Sequence, residues 1–276
     1  MIVRVPASSA NLGPGFDALG MALSLHLELA LVPGDDRTQC DDAHPSVKAF
    51  RSVGGEGPVW VRSPIPSSRG LGFSGAARVA GLVAGLVCRD GAAFDLDASR
   101  VDILHRATVL EGHADNVAAS IFGGVVATAA GVAVPVEMAL DPAVVVWVPG
   151  FKTSTDESRG RIRRELRFED AVFNIGRAAL LVAALATGRV DALRAATEDR
   201  LHQDLRFALA PQCAAALSLA LEAGAWCGWL SGSGPAIATL ADWEHAEVVA
   251  RALPADDDSR VLVLRIDRLG AVIERS

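Results

Sequence analysis

Three glycine-rich stretches, at residues 6–20, 64–77 and 230–236, interrupt an otherwise apolar and regularly patterned chain of 276 residues. Each lies between segments with strand or helix periodicity, so the backbone must turn sharply there. The second is the most constraining. Pro64-Ile-Pro-Ser-Ser-Arg-Gly-Leu-Gly-Phe-Ser-Gly-Ala-Ala77 runs straight into Gly75–Cys88, a small, apolar run broken only by Arg78. That run predicts a buried helix packed closely against its neighbours. Glycines ahead of it let the backbone approach an anion, and the helix start offers unpaired N–H groups and the positive end of the dipole. This is the physics of a phosphate cradle, although the Lys-Ser/Thr of a Walker A loop is missing. A close-packed turn without a ligand is the plain structural alternative.

The pattern around these stretches sets the fold class. Alternating Leu23, Leu25, Leu27, Leu29 and Leu31 predict a strand over 23–32, and residues 1–5 predict another. The stretch Pro6–Gly20 then reads as a loop between two strands, carrying Asn11 and Asp17 among small residues. Further along come a short helix at 46–52, a strand at 59–61, helices at 100–111 and 116–122, and strands at 125–130 and 143–148. After Pro149-Gly150 the chain becomes polar and arginine-rich through residue 167. That shift is the expected boundary between a 1–150 and a 151–276 domain. The second half predicts helices at 171–187, 190–197 and 213–223. Strands at 227–230 and 236–240 frame the third glycine stretch, Leu230-Ser-Gly-Ser-Gly-Pro-Ala236, whose default reading is a hairpin turn. A helix at 243–253 and a strand at 260–265 complete an α+β arrangement.

Composition narrows the partners. A net charge of −7 argues against a nucleic-acid binder, which needs a basic surface. Any phosphorylated ligand must be held by a local device. Lys48 and Lys152 are the only lysines, so positive charge is almost wholly arginine, the side chain suited to bidentate capture of carboxylate or phosphate. Cys40, Cys88, Cys213 and Cys227 have no paired metal spacing and read as buried apolar residues of a reducing cytoplasm. Residues 117–136 carry no charge, but Gly123, Gly124, Gly131 and Pro135 break them, so a helix and a strand are expected rather than a membrane span.

In order and spacing, the three stretches resemble the signature motifs of the GHMP kinases, the superfamily that includes galactokinase, mevalonate kinase and homoserine kinase. The likeness to homoserine kinases extends nearly end to end. It includes Ala-Asn-Leu-Gly-Pro-Gly-Phe-Asp at 10–17, Glu111-Gly-His-Ala-Asp-Asn-Val117 with Phe122-Gly-Gly124, Lys152-Thr-Ser-Thr-Asp-Glu-Ser-Arg159, and Leu201-His-Gln-Asp-Leu-Arg206. The resemblance implies an α+β, two-domain fold, with an N-terminal domain like domain 2 of ribosomal protein S5 and a ferredoxin-like C-terminal domain. It implies ATP and Mg²⁺ as cofactors, L-homoserine as substrate, a homodimer, and no nucleic-acid or membrane partner.

The same resemblance assigns roles. Pro66, Ser67, Ser68, Arg69, Gly70, Leu71, Gly72, Phe73, Ser74, Gly75 and Ala76 form the ATP phosphate loop. Ser74 and Glu111 hold Mg²⁺. Asn11 orients the substrate hydroxyl, Asp17 pairs with the substrate ammonium beside His113 and Asn116, and Arg159 and Arg206 grip its carboxylate. Each has a structural alternative. Arg159 lies in an arginine run of the kind that usually faces solvent, His113 reads equally as a structural histidine, and Asp115 as a helix cap. Phe73 departs from the family loop, which carries serine there, and leaves Ser74 as the only hydroxyl of that pair. A kinase for another hydroxy acid such as threonine, or a nucleotide-binding pseudokinase, is the alternative function. No residue is assigned as general base.

Overall fold

The computed structural model describes residues 1–153, 160, 162, 165–256 and 258–274. In chain order its elements are β1 (Ile2–Ala10), β2 (Leu19–Ala30), β3 (Thr38–Gln39), α1 (Pro45–Ser52), β4 (Trp60–Arg62), α2 (Phe73–Asp90), α3 (Leu96–Glu111), α4 (Asp115–Phe122), β5 (Val125–Ala129), β6 (Val132–Val136) and β7 (Ala143–Val148). They continue with α5 (Phe168–Thr187), α6 (Val190–Ala196), α7 (Gln203–Phe207), α8 (Pro211–Glu222), β8 (Cys227–Leu230), β9 (Ile237–Ala241), α9 (Ala246–Ala252), β10 (Arg260–Leu264) and β11 (Val272–Glu274).

The first sheet runs β11-β1-β2-β4-β3, with β5 also paired to β2 and β6 to β5. Helices α2 and α4 lie on β1 and β2, and α1 and α3 pack against α2. The small residues of α2 explain that closeness. A Cβ on Gly81 would run into the Ser46 carbonyl, and one on Gly85 into Phe50 and Val53, so α1 sits almost on the α2 backbone. Leu82, Val83 and Leu86 fill the core beneath.

The second sheet, β10-β7-β9-β8, is antiparallel throughout. In order of appearance its strands lie 4-1-3-2, with helices between the first and second and between the third and fourth, which is the split βαβ plan of a ferredoxin-like domain. Its first strand is β7, which precedes the expected boundary at residue 150. The chain then leaves this sheet, and β11 returns to pair with β1 at Ile2–Arg4. The two sheets touch where β2 bulges opposite Pro6: the Ser24 N–H donates to the Arg265 carbonyl at 2.9 Å, and the Arg265 N–H to Ser24 Oγ at 2.8 Å. Proline has no N–H for the ladder, which fits an irregularity at that point.

Several elements exceed the sequence expectation. β1 continues to Ala10 because Ala7, Ser8, Ser9 and Ala10, loop-like in composition, are buried on both faces. The uncharged stretch 117–136 proves to be most of α4, then β5 and β6, and Pro135 is accommodated because β6 is an edge strand. α5, by contrast, is long and apolar enough to cross a membrane by length and composition. It carries Arg177, which pairs with Glu198, while Asp170 pairs with Arg200, and its Leu181, Ala184 and Leu185 are buried in the core. Cys213 and Cys227 are buried as expected, and Cys88 is exposed.

Candidate active site

Helix α2 opens at Phe73, two residues earlier than the sequence predicts. Ser68, Gly70 and Gly72 all take left-handed φ values, of 57°, 80° and 65°. These turns deliver the chain to α2, whose N-cap Gly72 provides no side-chain cap. The first intrahelical bond to the Gly72 carbonyl comes from the Ala76 N–H at 2.9 Å, so the amides of Phe73, Ser74 and Gly75 have no acceptor inside the helix. Gly72 is required twice over, by its φ and because a Cβ would strike Ser8 Oγ and Asn116 Oδ1. The Phe73 ring packs edge-on to His44, at 5.7 Å between centroids and 89° between planes, and Phe73 lines the cavity beside the helix start.

The third glycine stretch is more than a hairpin. Ser231 Oγ donates to the Gly70 carbonyl at 2.6 Å, the Ala236 N–H to the Arg69 carbonyl at 3.2 Å, and the Gly232 N–H to the Ala10 carbonyl at 3.1 Å. It therefore binds the first stretch to the second. Between them lies a cavity of about 150 Å³, walled by the 66–68 and 70–73 loop and by Asn11, Ser74, Glu111, His113, Asn116 and Arg206.

At one end, Ser74 Oγ donates to Glu111 Oε1 at 2.5 Å, and Arg78, one turn along α2, pairs with Glu111 Oε2. An oxygen-only pair of one hydroxyl and one carboxylate beside free amides suits Mg²⁺, which keeps waters and phosphate oxygens as its other ligands. Among the described residues no cluster of three or more His, Cys, Asp or Glu forms a protein cage for a metal.

Asn11, Leu12 and Gly13 run through left-handed conformations in succession, a turn fixed from several sides. Asn11 Nδ2 donates to the Gly232 carbonyl at 2.9 Å, and Asn11 Oδ1 accepts the Asp17 N–H at 3.1 Å. Asp17 shares this loop but is not part of the cavity wall. His113 Nδ1 lies 3.1 Å from Asp115 Oδ1, which also accepts the Asn116 N–H at 2.7 Å. Asn116 Oδ1 in turn accepts from Ser8 Oγ at 2.8 Å.

Arg206 is buried, only 6% exposed, on α7. Its Nη1 donates to His202 Nδ1 at 2.9 Å and to the Gly232 carbonyl at 3.0 Å. The Arg69 side chain leaves the cavity and donates to the carbonyls of Pro149 and Gly150, at 2.9 and 2.5 Å. Gly75 and Ala76 lie inside the first turn of α2 rather than on the wall. Arg159 lies outside the described residues. Sequence reasoning missed Arg78 and His202. The first was signalled by being the one charge in an apolar helix, and the second by standing four residues before Arg206.

Comparison with known proteins identifies the family. Residues 43–124 match the family described as the GHMP kinase N-terminal domain, and 181–258 the GHMP kinase C-terminal family. The chain is 40% identical to the homoserine kinase of Thermus thermophilus, covering 95% of this chain and 94% of that one. It is 39% identical to the homoserine kinase of Streptomyces coelicolor, covering 98% and 93%. Among solved structures, a putative homoserine kinase from Listeria monocytogenes superposes with a TM-score of 0.81 at 27% identity, covering 100% of this chain and 99% of that one. The mevalonate kinase of L. major, solved with R-mevalonate, shares the fold with a TM-score of 0.71 at 16% identity, covering 96% and 95%.

Proposed function

The chain belongs to the GHMP kinases and, within them, to the homoserine kinases, and from that premise we propose how its residues divide the work. The reaction moves the terminal phosphoryl group of ATP to the side-chain hydroxyl of L-homoserine, giving O-phospho-L-homoserine for threonine biosynthesis. Phosphoryl transfer asks a protein chiefly for alignment and charge neutralisation. The observation that carries the assignment is the convergence of Asn11, Ser74, Glu111, His113, Asn116 and Arg206 on one cavity at the uncapped start of α2.

In this reading the 66–76 backbone and the Phe73, Ser74 and Gly75 amides receive the triphosphate, helped by the α2 dipole. Ser74 and Glu111 hold Mg²⁺, which supplies further neutralisation of phosphate charge when bound. Arg206 receives the substrate carboxylate, with Arg159 as its proposed partner. Asp17 meets the ammonium, assisted there by His113 and Asn116, and Asn11 orients the hydroxyl. No side chain is assigned as base, because a loose transition state needs little help in removing the hydroxyl proton. The orientation of Phe73 toward His44 supports a working loop over a closed one. We place the enzyme in the cytoplasm, as a homodimer, without nucleic-acid or membrane partners.

Product identification by mass spectrometry after incubation with homoserine, threonine, mevalonate or galactose and Mg-ATP tests the substrate, with phosphohomoserine expected. Arg206→Ala is expected to raise the homoserine KM by about 10²-fold, the loss of a buried charge-assisted contact. An unchanged KM would refute the carboxylate role.

A further inference from the structure

Around Arg206 lies a buried polar chain that the roles above leave unused. Asn174, Asp199, His202 and Gln203 are each less than a tenth exposed. Asp199 Oδ2 accepts the N–H groups of His202 and Gln203, at 2.8 and 2.7 Å, and its Oδ1 accepts from Asn174 Nδ2 at 2.7 Å. Gln203 Oε1 accepts the Leu230 N–H at 2.8 Å. This chain fixes the start of α7 against β8 and so fixes where Arg206 begins.

His202 has the decisive position. Its Nε2 lies 2.8 Å from the Gly13 carbonyl and its Nδ1 2.9 Å from Arg206 Nη1. A carbonyl can only accept and a guanidinium can only donate. The ring must therefore be neutral, with the proton on Nε2 and the lone pair of Nδ1 facing Arg206. Phe16 closes over both, 5.2 Å from the His202 ring and 5.6 Å from the Arg206 guanidinium carbon. Burial lowers the His202 pKa, and with Arg206 it outweighs the opposing charge of Asp199, whose Oδ1 lies 3.8 Å from Nε2, so this form dominates at neutral pH.

We propose that His202 is a positioning residue for substrate carboxylate recognition: it joins the Asn11–Gly13 turn to Arg206 and holds the guanidinium at the angle the carboxylate meets. This rests on the carboxylate role of Arg206 given above. The two ring nitrogens do separable jobs, and two amides separate them. Asn places its carbonyl oxygen where Nδ1 was, and Gln places its N–H where Nε2 was.

His202→Gln, keeping the Gly13 bond and losing the acceptor, is expected to raise the homoserine KM about tenfold, the cost of one charge-assisted hydrogen bond, with the ATP KM unmoved. His202→Asn, keeping the acceptor and losing the Gly13 bond, should hold the homoserine KM near its original value and lower the melting temperature instead. In an Arg206→Ala background the His202→Gln effect on KM should vanish. Equal KM changes in the two His202 variants, or a His202→Gln penalty undiminished in that background, would overturn the positioning role. A raised KM in Arg206→Ala beside an unchanged one in His202→Gln would overturn it while leaving the carboxylate reading intact. An unchanged KM in Arg206→Ala would remove both.

Discussion

Ser74 and Glu111 are separated by 37 positions in sequence and 2.5 Å in space, and Arg78 holds the far oxygen of the same carboxylate. The two partners of Glu111 predict different losses. Ser74→Ala removes a proposed ligand oxygen but no charge pairing, so it should lower kcat/KM by about 10²-fold and raise the Mg²⁺ concentration for half-maximal rate, with little change in melting temperature. Glu111→Gln should do the same to rate and also leave Arg78 half-buried without its counter-charge, which costs about 3–5 kcal/mol where a pair is buried and less at this partial exposure. Steady-state rates across a Mg²⁺ titration, beside thermal melts, check both. A Glu111→Gln protein with unaltered Mg²⁺ dependence would remove the carboxylate from the metal role. At this scale the motif residues were legible, because glycine, asparagine and serine at fixed offsets announce a backbone device. Their buried supports were not. Nothing in the chain says that the lone charge of α2 turns toward the end of α3, or that His202 faces Gly13 across 189 positions.

The elements carry the site by touching at their ends, and the clearest joint is Arg69. It sits in the proposed phosphate loop, yet its guanidinium clips the Pro149 and Gly150 carbonyls just after β7, the first strand of the second sheet. Arg69→Ala should therefore destabilise the fold by about 2–4 kcal/mol, two charge-assisted hydrogen bonds, and raise the ATP KM only severalfold through a looser loop. Denaturant melts and ATP kinetics decide: a 10²-fold or larger rise in ATP KM with unchanged stability would mean that the side chain itself meets phosphate. Most long helices and buried strands could be read from periodicity, including α2 and β7. Three of the shortest elements could not. β11 has three residues, β3 has two, and α7 is a single turn whose amphipathic period cannot register. For the same reason the sheet membership of β7 was hidden: a composition shift marks where the chain becomes polar, not which ladder a strand joins.

For the whole molecule, the unresolved asymmetry is an apolar surface with no cover among the described residues. On α5, Phe168, Val172 and Ile175 are exposed, and beside them Val132 and Val134 project from β6. Between the two elements runs a shallow groove lined by Ala129, Val134, Ala178 and Val182. Among the described residues β6 pairs on one side only, so its other edge offers backbone groups to a copy of itself. Soluble monomers rarely leave so continuous an apolar patch open, and a self-complementary edge beside it fits a two-fold contact. The proposed homodimer would bury this face. A charge on the exposed side of α5 then has a definite consequence, because Ile175 is 70% exposed and can be replaced without disturbing the core. Ile175→Asp should leave the melting curve of the isolated subunit nearly unmoved, within about 0.5 kcal/mol as for other surface sites, yet shift light-scattering mass from two chains to one at micromolar concentration. The site lies on the far side of the Asn11–Leu19 loop from this face, and Gly15, Ala18 and Leu19 of that loop form the groove wall. Dissociation should therefore affect the homoserine KM more than the ATP KM, since the loop carries Asn11 and Asp17 while the phosphate cradle rests on α2. A variant that stays dimeric would place the contact elsewhere on the molecule.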